Sequence, residues 1–142
     1  MSEINKNLIR TLYSDVMGEG NMKIADEIFH KNYVDHMPIM ETPDRKGLLK
    51  SVQAARRAFP DVRPTIIAEI SEGDWVAIAV HADAGKHQGS YMGIPPTNRE
   101  VTWTETHFWK IENGKIREHY GNVSLFEIHE MLGSHKIESQ LK

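Results

Sequence analysis

A chain of 142 residues, 39% hydrophobic and 26% charged with a formal net charge of −3, reads as one domain able to bury about 70% of the surface its unfolded form exposes. No basic run is longer than Arg56-Arg57, which argues against a nucleic acid partner, and no stretch approaches the ~18 apolar residues of a membrane span. The absence of cysteine excludes disulfides, thiolate catalysis and cysteine-ligated zinc; with no charged-then-apolar leader pattern, the chain is expected in the cytoplasm.

Ile4, Leu8, Leu12 and Val16 recur at helical spacing ahead of Gly18-Glu19-Gly20, which predicts a helix over 3–17. Asn21 is placed to cap a second short helix with Ile24, Ala25, Ile28 and Phe29 on one side. Residues 32–36 read as extended. Asp44 caps a third helix through Leu48, Val52, Ala55 and Phe59, ended by Pro60. From Val62 the pattern turns to strands: 65–70 and 75–83 flank a turn at Glu72-Gly73-Asp74, and a long Gly/Pro-rich connection follows over 85–98. After a hairpin, an amphipathic segment over 125–132 ends at Gly133. Helices first and antiparallel strands afterwards imply an α+β fold with the helices on one face of the sheet.

The hairpin turns at Asn113-Gly114, two residues that tolerate the positive φ of a type I′ turn. An unbroken ladder from that turn pairs Glu112 with Lys115, Ile111 with Ile116, Trp109 with Glu118, His107 with Tyr120, Glu105 with Asn122 and Trp103 with Ser124. From Trp103/Ser124 to Ile111/Ile116, these pairs share one face, which is both aromatic and ionisable and so a candidate pocket wall. The opposite face sets Lys110 against Arg117, two like charges that suit water better than a core.

The chain resembles the SnoaL-like polyketide cyclases and their ester cyclase homologues. The resemblance is carried by Tyr33-Val34-Asp35-His36, Phe59-Pro60-Asp61, Gly73-Asp74-Trp75-Val76, the connection 85–99 (Gly-Lys-His-Gln-Gly-Ser-Tyr-Met-Gly-Ile-Pro-Pro-Thr-Asn-Arg) and Gly114-Lys115-Ile116-Arg117-Glu118-His119-Tyr120, in that order over nearly the whole chain. It implies a nuclear-transport-factor-2-like fold, a curved antiparallel sheet wrapped around the N-terminal helices to form a cone with a central cavity, as a single domain over 1–142 and usually dimeric. It also implies cofactor-free ring closure of a polyketide by aldol condensation. After the Glu-His-aromatic piece the family continues with aspartates, one of them its acid/base; here Gly121 and Ser124 stand in those places, so that aspartate transfers to no residue of this chain.

His107 is the first candidate for acid/base work, because Glu105 and Glu118 lie within side-chain reach of it in the expected register and carboxylates and burial push an imidazole in opposite directions. Trp103 and Tyr120 are candidates to stack on a planar ligand, Asn122 or Tyr120 to donate to an oxyanion, and Ser124 to line the same wall. The family-like segments bring His36, His87 and Tyr91 toward the mouth of the cone, and Ile94-Pro95-Pro96 stiffens the rim. No metal is expected: the eight histidines include no dense ligand motif, and the expected register points His107 and His119 to opposite faces. No Gly-x-Ser-x-Gly elbow, phosphate loop or dinucleotide fingerprint occurs.

Three readings follow. In the first, the chain is a cofactor-free enzyme removing a proton next to the carbonyl of a small apolar or aromatic compound, with His107, Glu105 and Glu118 as the catalytic set, acting as a homodimer. In the second, it binds such a compound without turnover. In the third, it is a dimerisation module whose cavity is filled by side chains.

Overall fold

Side chains four apart drift about 40° per step around a helix of 3.6 residues per turn, so Ile4, Leu8, Leu12 and Val16 cannot all share one face. In the computed structural model, which describes residues 2–133, helix α1 (Ser2–Thr11) leaves Ile4 exposed and buries Ile9. Met1 and residues 134–142, which the single-domain reading takes in, lie outside the described residues. The expected α-helix does not persist to residue 17. Over Leu12–Gly18 the turns widen to π-helix, and this segment buries Leu12, Tyr13 and Val16. Such widened turns recur where a helix presents a side chain to a site, and Tyr13 and Met17 both reach the cavity described below.

The Asn21 side chain caps α2 (Met22–Ile28) by accepting from the Lys23 and Ile24 amides. The chain passes directly into β1 (Phe29–Asp35), longer at its start than the sequence pattern indicates. Asp44 caps α3 (Arg45–Ala58) through the Gly47 amide at 2.9 Å. Strands β2 (Arg63–Glu72), β3 (Trp75–Lys86), β4 (Glu100–Glu112) and β5 (Lys115–Val123) follow, and Ser124 caps α4 (Leu125–Met131). The five strands form one curved, unclosed sheet in the order β1-β5-β4-β3-β2. All neighbours are antiparallel except β1, which runs parallel to β5 at the edge.

The Asn113-Gly114 turn forms as expected, with φ of 51° and 72°, and the ladder starts with Glu112 opposite Lys115 and Ile111 opposite Ile116. There the expected register ends. Arg117 is an extra residue, so Lys110 faces Glu118, Trp109 faces His119, Phe108 faces Tyr120, His107 faces Gly121 and Glu105 faces Val123. The bulge replaces the like-charged Lys110/Arg117 pair with a Lys110–Glu118 ion pair at 3.4 Å. It also carries every later residue of β5 to the opposite face.

Two apolar clusters fill the concave side. One joins α1, the π-helical segment and α3 to the turn-proximal half of the sheet around Trp109; the other joins Phe59, Trp103 and Val101 to Ile128 and Leu132 of the C-terminal segment. Among the described residues no helix is long and apolar enough to cross a membrane.

Candidate active site

A cavity of about 120 Å³ draws its walls from both clusters. This is some ten times the space that admits one water by the same measure (~10–15 Å³). Its lining is mainly apolar, with Met17, Met37, Ile39 and Met40 on one side and Trp103 and Trp109 on another. The cavity is not filled by side chains, contrary to what the dimerisation-module reading expects.

One wall carries a line of polar groups. The Tyr33 hydroxyl and the Met37 amide donate to the buried Asp35 carboxylate at 2.6 and 2.9 Å. Asp35 Oδ2 also lies 3.0 Å from His119 Nδ1, His119 Nε2 lies 2.8 Å from His107 Nδ1, and His107 Nε2 lies 2.8 Å from Glu105 Oε1. Trp103 Nε1 donates to Glu105 Oε2 at 2.7 Å. Burial alone would raise the Asp35 pKa, but the hydrogen bonds from His119, Tyr33 and Met37 outweigh it and hold the carboxyl below its ordinary value. Burial lowers the His119 pKa against the pull of Asp35, and the neighbouring His107 adds to the lowering. A neutral His119 donating from Nδ1 to an ionised Asp35 leaves Nε2 as an acceptor, so His107 donates from Nδ1. The His119 ring is further fixed by stacking on Trp109, centroids 3.8 Å apart and planes 9° from parallel.

Both ring nitrogens of His107 are therefore committed to protein partners. Glu105 is the member of the line with capacity left, because an ionised carboxylate accepts about four hydrogen bonds. Tyr13 and Trp109 also line the cavity, and neither Tyr13 Oη nor Trp109 Nε1, both buried, meets a partner among the described residues.

Of the residues singled out from sequence, Glu105, His107, Trp103 and Tyr91 line this cavity. Glu118, Tyr120 and Asn122 do not, because the bulge at Arg117 turns them to the outer face. There Glu118 accepts from His36 at 3.0 Å and pairs with Lys110, and His36 stacks on Tyr120 at 4.2 Å. His36 thus belongs to the outer surface and not to the mouth. Ser124 caps α4 instead of lining the wall. His87 is buried inside the 87–99 connection, where Nδ1 accepts from the Thr97 amide at 3.2 Å and the ring packs on Phe59; it does not reach the cavity wall. His107 and His119 share one face, contrary to the expected register, although among the described residues no three donors converge as metal ligands.

Asp35 and His119 went unassigned in the sequence. The signal for Asp35 was its alternation with Tyr33 and Met37, which all bury on one side of β1 and its continuation.

Gly121 explains how two imidazoles can meet here. A Cβ on residue 121 would come within 2.7 Å of His119 Nε2 and closer still to His107 Nδ1. The place where the family resemblance calls for an aspartate is filled by the contact between the two rings.

These ionisations set a pH range for the fold. His119 and His87, both lowered by burial from 6.5, stay neutral in the fold where the unfolded chain takes up protons. Their stability contribution is complete above 6.5 and is lost as pH falls through their folded-state values; Asp35 adds a second loss below 3.8. Tyr13 and Tyr33, raised by burial and by the carboxylates Glu105 and Asp35 respectively, contribute fully below 10.0 and lose that contribution at higher pH. Unfolding free energy should fall on acidification below 6.5 by up to ~1.4 kcal/mol per pH unit for each histidine. Urea titrations on either side of that limit measure the slope, and a gain in stability on acidification would contradict neutral buried rings.

A family model described as SnoaL-like polyketide cyclase matches residues 7–128. The chain is 29% identical over 103 residues to the nogalonic acid methyl ester cyclase of Streptomyces nogalater, covering 70% of this chain and 76% of that protein. It is 29% identical over 117 residues to the aklanonic acid methyl ester cyclase DnrD of Streptomyces peucetius, covering 80% and 79%. Among solved structures, IdmH from Streptomyces antibioticus superposes with a TM-score of 0.79 at 28% identity, over 91% of this chain and 98% of that one. TsrD from Streptomyces laurentii shares the fold, with a TM-score of 0.85 at 20% identity over 94% and 98%.

Proposed function

The chain belongs to the SnoaL-like polyketide cyclase family, and from that membership we propose that it removes a proton next to the carbonyl of a small, uncharged, largely apolar compound without a cofactor. The observation that carries this reading is Glu105, a carboxylate on the wall of an apolar cavity with two buried histidines and a buried aspartate hydrogen-bonded in line behind it.

Glu105 is the base and His107 its support. The substrate C–H bond breaks, the proton passes to a Glu105 oxygen, and the electron pair moves onto the carbonyl oxygen. Tyr13 Oη and Trp109 Nε1, two buried donors on the cavity wall that meet no partner among the described residues, receive that developing charge in the role first assigned to Asn122 or Tyr120. The enolate then attacks a second carbonyl of the same molecule, and Glu105 returns the proton to the new alkoxide; where the enolate is conjugated with a further double bond and takes the proton back at the remote carbon, the outcome is isomerisation. The substrate is uncharged because Arg56, the one guanidinium on the described wall, is occupied by the Met17 and Gly18 carbonyls. An ester fits this requirement better than a free acid, in keeping with the methyl esters for which both relatives are named. Trp103 and Tyr91 flank the bound molecule, and the methionines supply an adaptable apolar wall.

The test is deuterium exchange next to the carbonyl in a panel of cyclic ketones and keto esters, followed by NMR in heavy water. Exchange faster than in buffer supports the enzyme. Binding without exchange supports the second reading, a ligand-binding protein, which is favoured by the absence of an aspartate at Gly121.

The functional unit is a homodimer through the outer face of the sheet. Ile70, Ala77, Phe108 and Tyr120 follow one another across four strands, and Ile70, Phe108 and Tyr120 are 68%, 54% and 48% exposed. Such an apolar row is unusual on a surface facing only water. Phe108→Asp is expected to turn the dimer into a monomer in sedimentation analysis; a monomeric parent protein would overturn the assignment.

A further inference from the structure

We propose that Asp35, His119 and His107 form a proton relay behind Glu105, three hydrogen-bonded links holding three protons, and that the relay exists because residue 121 has no side chain. The proposal rests on the reading of Glu105 as the base and adds how that carboxylate can act as base in one step and acid in the next.

The argument begins with a count. Each link, Asp35–His119, His119–His107 and His107–Glu105, joins two atoms that must share one proton. With none, two lone pairs would face each other; with two, two protons would collide. Three links therefore hold three protons, and the four groups together carry one negative charge. Three arrangements satisfy the count with Asp35 ionised. In the first, both rings are neutral and Glu105 is a carboxylic acid. In the second, His107 is the cation and Glu105 is ionised. In the third, the cation is His119. They interconvert by proton shifts along existing hydrogen bonds, with no heavy atom moving.

The surroundings leave one member of the line free to exchange a proton with a bound molecule. His119, Asp35 and His107 are 1%, 3% and 4% exposed. From β1 the Tyr33 hydroxyl and, just beyond it, the Met37 amide donate to Asp35. From β4 the Trp109 ring covers His119, and from the π-helical segment the Tyr13 ring lies 5.8 Å from His107. From α3, Arg56 spends its guanidinium on backbone carbonyls. His107 and His119 border the cavity as well, but their ring nitrogens are all engaged, so the outlet is Glu105, which faces the cavity with acceptor capacity to spare. His107, His119 and Asp35 are positioning residues: their ring nitrogens and carboxylate are engaged within the line, and they act through Glu105.

Gly121 is the enabling residue, since its Cα lies beneath the point where the two rings meet. An aspartate there would occupy the space of the His107–His119 hydrogen bond. One carboxylate at 121 and a relay feeding Glu105 are alternatives that exclude each other.

The test uses the ligand-free full chain with isotope-labelled histidine ring nitrogens. The expected result is a nitrogen–nitrogen coupling through the hydrogen bond between His107 Nδ1 and His119 Nε2, lost in Gly121→Ala. Glu105→Gln should also move the ring-nitrogen resonances of His119, two links away, and not only those of His107. A merely structural role for His119 would leave its ring unchanged by that substitution. Should Gly121→Ala fail to fold, Glu105→Gln decides alone. Absence of the coupling in the parent protein, or a His119 ring indifferent to Glu105→Gln, overturns the relay. Intact coupling together with no carbonyl exchange overturns the base reading and leaves the relay standing.

Discussion

Glu105→Gln should lower the rate of proton exchange next to a carbonyl by roughly 100- to 10,000-fold, the usual contribution of a positioned general base. The substitution keeps the shape of the side chain. The glutamine carbonyl still accepts from Trp103 Nε1, and its amide group replaces the oxygen facing His107. What it loses is the ability to take a proton. Glu105 is only partly buried, so the melting temperature should change little while turnover collapses. Exchange measured by NMR beside a thermal melt separates the two effects. An undiminished rate would move the base to another residue.

Asp35→Ala should instead strike the fold, lowering stability by several kcal/mol, at about 1–3 kcal/mol for each buried donor left without an acceptor. Three donors converge on this carboxylate, and the alanine leaves the His119 Nδ1–H, the Tyr33 hydroxyl and the Met37 amide with nothing to donate to. The damage extends to the sheet, because Asp35 sits where β1 pairs with β5 and its register partner is His119 itself. Chemical denaturation measures the loss. A change under about 1 kcal/mol would show that water replaces the carboxylate at little cost and that the line of hydrogen bonds is not rigid.

These two residues also mark the limit of what the amino-acid order discloses. The helix caps at Asn21 and Asp44, the turn at Asn113-Gly114 and the succession of strands are local signals, and each forms where its residues indicate. Glu105 and His107 were legible as a pair for the same reason: two residues apart on a strand, they must share a face. His119 was not, because one extra residue at Arg117 reverses the face of the rest of β5. The hint was the Lys110/Arg117 clash that an unbroken ladder would create, a conflict the bulge removes. Asp35 meets His119 across 84 residues through a parallel pairing that no local pattern encodes. Glu118 and Tyr120 looked like pocket residues because they are neighbours of the right type read one position out of phase.

That bulge makes this hairpin a matter of odd and even. A substitution at Arg117 alters one side chain, and deleting the residue would remove the bulge while leaving Glu118 opposite Lys110 and His119 opposite Trp109. A regular ladder that kept Arg117 is what would bring Tyr120 and Asn122 into the cone and send His119 and Gly121 out of it. Beyond the bulge, length changes over 118–123 should be tolerated in twos and rejected singly. Two chains of this shape that differ only in the bulged residue would share an interior, whereas a difference of one residue further along the strand would give them unlike interiors even where their sequences read almost the same.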